Sequence, residues 1–212
     1  MKESIPSKNS QKNMTSEPFK YEYVDTPPPQ YLIDLINKFE SGLANGTEIF
    51  NLSSAYYFGY NGTNFAPNKL KSAELAKIAA EHGSTEAQFL LAICFRDGTG
   101  VPKDYEEAVR RLRLAAEEGD WNAQYMLGIL YLPEHRHKFT GLLSSDLTEA
   151  YAWVNLAAGM ATDLDSQKFI QSNTITDIES KLSNEQILAA QKRSREILSQ
   201  IEARKKAKGQ QG

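Results

Sequence analysis

The sequence predicts an all-α fold, a right-handed α-α superhelix or solenoid of antiparallel helix pairs closed by a C-terminal capping region. Three observations predict it. Apolar residues recur three and four positions apart between Gly-marked stops, and no stretch alternates with period two over a strand's length. A block containing two such helices is repeated along the chain. Small residues fall at the same places in each copy, where two helix axes have to approach.

The repeat is clearest around GSTEAQFLLAICFRDGTGVPKDYEEAVRRLRLAAEEGD. Gly83, Ala87, Leu91 and Phe95 return as Gly119, Ala123, Leu127 and Tyr131, each 36 residues later. Asp104, Ala108, Leu112, Ala115 and Ala116 return as Asp146, Ala150, Val154, Ala157 and Ala158, now 42 residues later because about six residues have entered the turn. Upstream, Ala79, Ala80 and Gly83 stand 36 before Ala115, Ala116 and Gly119. The helix before them is degenerate, and Ala55 and Phe58 match Ala92 and Phe95 if one residue is added to its loop. A period of this length filled by two helices marks an array in which each unit buries its apolar face only against its neighbours.

Taken in order, residues 1–29 read as a disordered tail with a Pro-rich lead-in. The first twenty are rich in Ser, Asn and Lys and offer too little apolar surface to offset the entropy of ordering, and Pro27-Pro28-Pro29 blocks a helix. A solenoid should occupy 30–204: a leading helix over 30–46, a degenerate unit over 47–83, a unit over 84–119, a unit with an insertion over 120–162, and a cap over 163–204. Residues 205–212 should form a flexible tail. Asp104-x-x-Glu107, Asp146-x-x-Glu149 and Ser183-x-x-Gln186 read as capping boxes. Thr47, Ser84 and Asp120 read as simpler N-caps, and Gly46, Gly83 and Gly119 as stops. In the cap, Ile187, Ala190, Ile197 and Ile201 form one apolar stripe.

Composition limits function. The chain has 212 residues, 41% of them hydrophobic, with a net charge of -3, so no overall positive field draws it to nucleic acid or an anionic membrane. Cys94 is the single cysteine and permits neither an internal disulfide nor a thiolate zinc site. No segment approaches the ~20 apolar residues of a membrane span, and the N-terminus has no secretory signal. The expected location is cytoplasmic, or periplasmic or secreted if a leader has been removed.

Ala87-x-x-x-Leu91, Phe95, Gly98-x-Gly100-Val101, Lys103-Asp104-Tyr105, Ala108, Ala115-Ala116 and Gly119 together resemble the Sel-one-like repeat family, longer relatives of tetratricopeptide repeats. Ala92 stands where that family has glycine, and Gly128 restores it in the next unit. The resemblance covers about residues 46 to 162. It implies protein binding and adaptor work, commonly in bacterial signalling, envelope or virulence settings. A cysteine-rich branch of that family with claimed activity on cell-wall antibiotics carries paired cysteines, which this chain lacks.

No catalytic set is evident, and no cofactor is expected. His135-x-His137 beside Glu134 is the only motif suggestive of a metal, and it lacks a defined third or fourth ligand. His82 ends a helix, where a cation suits the dipole. Cys94 reads as a small buried apolar residue. Asp97-Gly98-Thr99-Gly100 follows a helix rather than a strand, so it reads as a turn and not a phosphate loop. Arg110-Arg111-x-Arg113 with Glu117-Glu118, and the basic residues Arg193, Arg195 and Arg204-Lys205-Lys206, read as solvated helix faces. The partner-binding candidates are apolar residues beyond those the repeat needs: Phe89 and Ile93, recurring as Tyr125 and Ile129, with Leu52 and Tyr56 at the looser upstream match. They form either inter-repeat core or a groove for another protein. Two further readings stay open: an immunity protein that neutralises a toxin, suggested by the short acidic array and its deviant loops, and a metal-dependent enzyme using His135 and His137.

Overall fold

The computed structural model describes residues 26–133 and 146–209, so the tail and the insertion carrying Glu134, His135 and His137 lie outside the described residues. The described residues form helices and turns, with no strand among them. The helices are α1 (Gln30–Glu40), α2 (Gly46–Phe58), α3 (Lys69–Glu81), α4 (Thr85–Asp97), α5 (Tyr105–Glu117), α6 (Trp121–Leu130), α7 (Leu147–Met160), α8 (Leu164–Phe169), α9 (Thr176–Glu179) and α10 (Asn184–Gly209), with a π-helical turn Ile170–Ile175 joining α8 to α9. Consecutive pairs α2/α3, α4/α5 and α6/α7 pack most extensively, and each pair packs on the next through α3 with α4 and α5 with α6. This is an α-solenoid. We call α2, α4 and α6 the A helices and α3, α5 and α7 the B helices.

One hydrogen bond closes each pair. The backbone N–H of the B-helix N-cap donates to an aromatic residue's carbonyl near the end of the A helix: Asn68 to Tyr56 at 2.7 Å, Asp104 to Phe95 at 2.9 Å and Asp146 to Tyr131 at 3.0 Å. This fixes the register of the degenerate unit. Tyr56, not Phe58, takes the place of Phe95, and Leu52 takes that of Leu91 and Leu127; all three leucines are buried. The small residue is Ser53 rather than Ala55. Its hydroxyl donates to the Ser72 carbonyl at 2.7 Å, where the later units have Ala92 and Gly128. The first turn is therefore three residues longer than the second, 12 positions from Tyr56 to Asn68 against 9 from Phe95 to Asp104.

Backbone donors at the helix starts are satisfied as the sequence implies, with two corrections. Ser84 and Asp120 accept from the N–H of Ala87 and Ala123, and Ser183 with Gln186 forms a complete box. Asp104 and Asp146 accept from the N–H of Glu107 and Glu149, but neither forms the reciprocal box: the Glu107 carboxylate turns to Arg110 and Arg111 and that of Glu149 to Arg193. The second correction concerns α1, which ends at Glu40 and not near Gly46. Gly42 adopts the left-handed φ of 71° after it, and Asn45 with Glu48 forms the capping box of α2, so Thr47 is not the cap. Gly83 and Gly119 are left-handed stops, at φ 82° and 93°.

The alanines lie in the seams: Ala79, Ala80, Ala115, Ala116 and Ala157 are buried and Ala158 is half-buried. The cap consists of two parts. Residues 164–179 run antiparallel to α7, with Gln167 donating to the Ala161 carbonyl at one end and Tyr151 to Glu179 at the other. They take the place of a fourth A helix. Ile170 and Ile175 stand five apart and would diverge on an α-helix, and the π turn puts both into the core with Ile178. Helix α10 then runs parallel to α7 along its outer side and reaches the end of α5. Arg193 pairs with Glu149 at 2.6 Å, Ser194 donates to the Ala152 carbonyl at 3.1 Å, and Arg204 pairs with Glu117 at 2.8 Å. Ala190, Ile197 and Ile201 are buried there and Ile187 is half-buried. The helix continues through Gly209, and Lys208 pairs with Glu118 at 2.6 Å.

Candidate protein-binding surface

The two sides of the array differ in chemistry. On the B side, α3 exposes Glu74, Lys77 and Glu81 and α5 exposes Glu106, Arg110 and Arg113, while the outer flank of α7 lies under α10. On the A side, α6 (WNAQYMLGIL) carries no charged side chain at all.

Phe89, Ile93, Tyr125 and Ile129 are all half-buried on this A side. Phe89 packs on the core shared with α6, and Tyr125 packs on the core of the next unit, where its hydroxyl lies 3.1 Å from Thr174 Oγ1. In the observed register Phe50 is their counterpart in the first unit and likewise leans on the next one. These aromatics therefore bridge adjacent A helices and leave one edge to solvent. Leu52 is not part of the row: it is buried in the core of the first pair, the place its match to Leu91 requires. Tyr56 is half-buried against Phe65, with ring centroids 4.7 Å apart, and supports the first turn.

Two hollows lie at the ends of the A side. One of about 500 Å³ is lined by Tyr31, Leu35, Ala55, Phe58 and Tyr60 between α1 and α2. The other, of about 450 Å³, lies between α6 and α8 against Trp121, Asn122, Tyr125, Asp165, Phe169 and Ile170. Sequence reasoning missed both, because α1 and α8 lie outside the repeat. It also missed that α10 covers α7, although the all-round apolar run YAWVNLAAGM of α7 is the signal of a helix buried on every side.

The titratable groups perform structural tasks. Burial pushes the Cys94 thiol up to about 11, so it stays protonated and inert in its apolar surroundings. Hydrogen bonds from Arg110, and secondarily Arg111, hold the Glu107 carboxyl at about 2 against the opposing effect of burial. Burial, and next the nearby Glu86 carboxylate, raise Asp120 against the lowering effect of its cap bond to Ala123. His82 caps α3, with its Nδ1 2.9 Å from the Ile78 carbonyl. No cluster of three or more His, Cys, Asp or Glu that could hold a metal occurs among the described residues. None of their helices is long and apolar enough to cross a membrane. The Gly98-Thr99-Gly100 turn serves packing: a Cβ on Gly100 would lie 2.1 Å from the Lys69 carbonyl oxygen.

Comparison with known proteins agrees with this architecture. The Sel1 repeat matches residues 49–84, 85–120 and 121–160. Among solved structures, the chain is similar to a protective antigen present in uropathogenic Escherichia coli strains and displaying an SLR fold. The identity is 26% and the TM-score 0.64, over 86% of this chain and 35% of that one. It is also similar in fold to a Sel1 repeat protein from Oxalobacter formigenes, at 24% identity and a TM-score of 0.52, over 63% of this chain and 51% of that one. The chain thus spans about a third and about half of the lengths of these two relatives. No curated protein matches it. With three matched copies that coincide with three packed helix pairs, the chain belongs to the Sel1 repeat family, whose members generally bind other proteins.

Proposed function

We propose that this protein is a non-enzymatic interaction module, an adaptor or scaffold, that holds a protein partner along the A-helix side through Phe89, Ile93, Tyr125 and Ile129. The observation that carries this reading is the row of half-buried apolar residues continuing from α4 onto a helix without any charge. Interfaces are depleted of charge at their centres and enriched in aromatic anchors, and the charged B side has the opposite character. Leu52, buried in the first pair, and Tyr56, packed on Phe65, are left out of the proposed surface.

Affinity capture with the full chain, followed by identification of the bound proteins, tests the proposal when repeated with an Ile93→Ser/Tyr125→Ala double variant whose fold is verified by circular dichroism. At least a tenfold loss of the specifically captured protein is expected. Unchanged capture by the folded variant would place the surface elsewhere. Capture of a toxin whose activity the chain abolishes would specify an immunity protein in place of an adaptor.

A further inference from the structure

The hollow between α6 and α8 differs from the rest of the A side. Trp121, Tyr125, Phe169 and Ile170 give it apolar walls, and Phe169 is 55% exposed although it belongs to the cap, where the repeat requires no aromatic. Leu164, five residues earlier at the start of α8, is 61% exposed but does not line the hollow. The wall on the α8 side passes directly into the π turn, a feature often found where function imposes an otherwise costly helix geometry.

The lining of this hollow holds a carboxylate and no cation. Asp165 is the only carboxylate among its lining residues, and it is exposed and forms no ion pair among the described residues. The carboxylates of Asp163 and Asp120 precede α8 and α6 directly, and Glu86 lies close enough to Asp120 to raise its pKa. Lys168 is the one cation on α8 and does not line the hollow; of the α10 cations, Lys205 stands beside Gly119, also outside the lining, while Arg204 and Lys208 are held by Glu117 and Glu118 at the end of α5. An apolar cup with an acidic rim complements a large apolar side chain flanked by cations, because the anchor is desolvated in the cup while charges at the rim steer and orient the approach.

We propose that this hollow receives a leucine or aromatic side chain from a partner segment whose neighbouring residues are lysine or arginine. This rests on the A side being the binding surface and adds where the anchor sits and what flanks it. Panning a random twelve-residue phage-displayed peptide library against the full chain tests it, with the selected peptides then synthesised and titrated while Trp121 fluorescence is followed.

The selected peptides are expected to share an apolar anchor beside Lys or Arg. Phe169→Glu should weaken them at least tenfold and Asp165→Lys several-fold, the latter effect shrinking as salt is raised. Leu114→Glu on the B side should leave them unchanged, and Trp121→Phe should remove most of the fluorescence response. Peptides with acidic flanks, affinities insensitive to both hollow variants, or no enrichment at all would overturn the proposal. Peptides lost on Ile93→Ser but indifferent to Phe169→Glu and Asp165→Lys would overturn it while leaving the A-side reading intact.

Discussion

Glycine positions in this array differ in what they tolerate, and the difference follows from what stands beside each one. Gly100 combines φ 75° with the Lys69 carbonyl 2.1 Å from any added Cβ, whereas Gly159 in α7 has nothing within 4 Å of one. Gly100→Ala is therefore expected to lose about 2–4 kcal/mol in urea unfolding, from overpacking plus left-handed strain. Gly159→Ala should be neutral or stabilising by up to ~1 kcal/mol. Equal effects of the two would contradict this account of the turn. Glu107 provides a pH test. Its folded pKa of about 2 lies below the unfolded value of about 4.3, so its contribution is complete above the unfolded value and is lost as pH falls through the folded one. The stability advantage over Glu107→Gln should shrink between about pH 4.3 and pH 2, and a constant advantage across that window would mean that the Arg110 and Arg111 contacts contribute nothing. Residue identity made most of this legible beforehand, including the buried Cys94, the N-caps Ser84 and Asp120, and the stops Gly83 and Gly119. The small residue of the first unit was not legible, because Ser53 is polar and becomes compatible with the seam only through its bond to Ser72, which no local pattern announces.

At the scale of elements, the helices of the regular units follow from their own periodicity, while α8, the π turn and α10 depend on what they pack against. The apolar stripe of α10 was evident in the sequence. Its destination was not, since a stripe shows that a helix is covered and not by what. The register of α2 failed for a related reason: the turn GYNGTNFAPN absorbs three extra residues, and the bond closing it, from Asn68 to Tyr56, connects positions that only the fold brings together. If α10 stabilises the array by burying Ile197 and Ile201 against α5 and α7, then Ile201→Ala should cost about 2–4 kcal/mol. Arg204→Ala, which removes a solvent-exposed pair with Glu117, should cost less than about 1 kcal/mol. A larger effect for Arg204→Ala than for Ile201→Ala would show that charge, and not burial, holds this helix.

The whole molecule has two unlike sides. Helix α10 and the charged flanks of α3 and α5 occupy the B side, and the continuous A side presents Phe89, Ile93, Tyr125 and Ile129 and leads into the hollow at Trp121 and Phe169. The stacked pairs were readable from the repeat, because a period of 36 residues with recurring alanines has one packing solution. Which apolar residues keep an edge to solvent was readable only for the regular units, where Phe89 and Tyr125 hold equivalent places; Leu52 was misplaced by the register of the degenerate one. The central claim, that a protein partner is held on the A side, is tested most directly by placing a photo-cross-linking amino acid, one position at a time, at Ile93 and Asn122 on that side and at Leu70 and Leu114 on the other, in cells producing the full chain. Cross-linked adducts with one discrete partner are expected from Ile93 and Asn122 and not from Leu70 or Leu114. Adducts arising only from Leu70 and Leu114 would contradict the account.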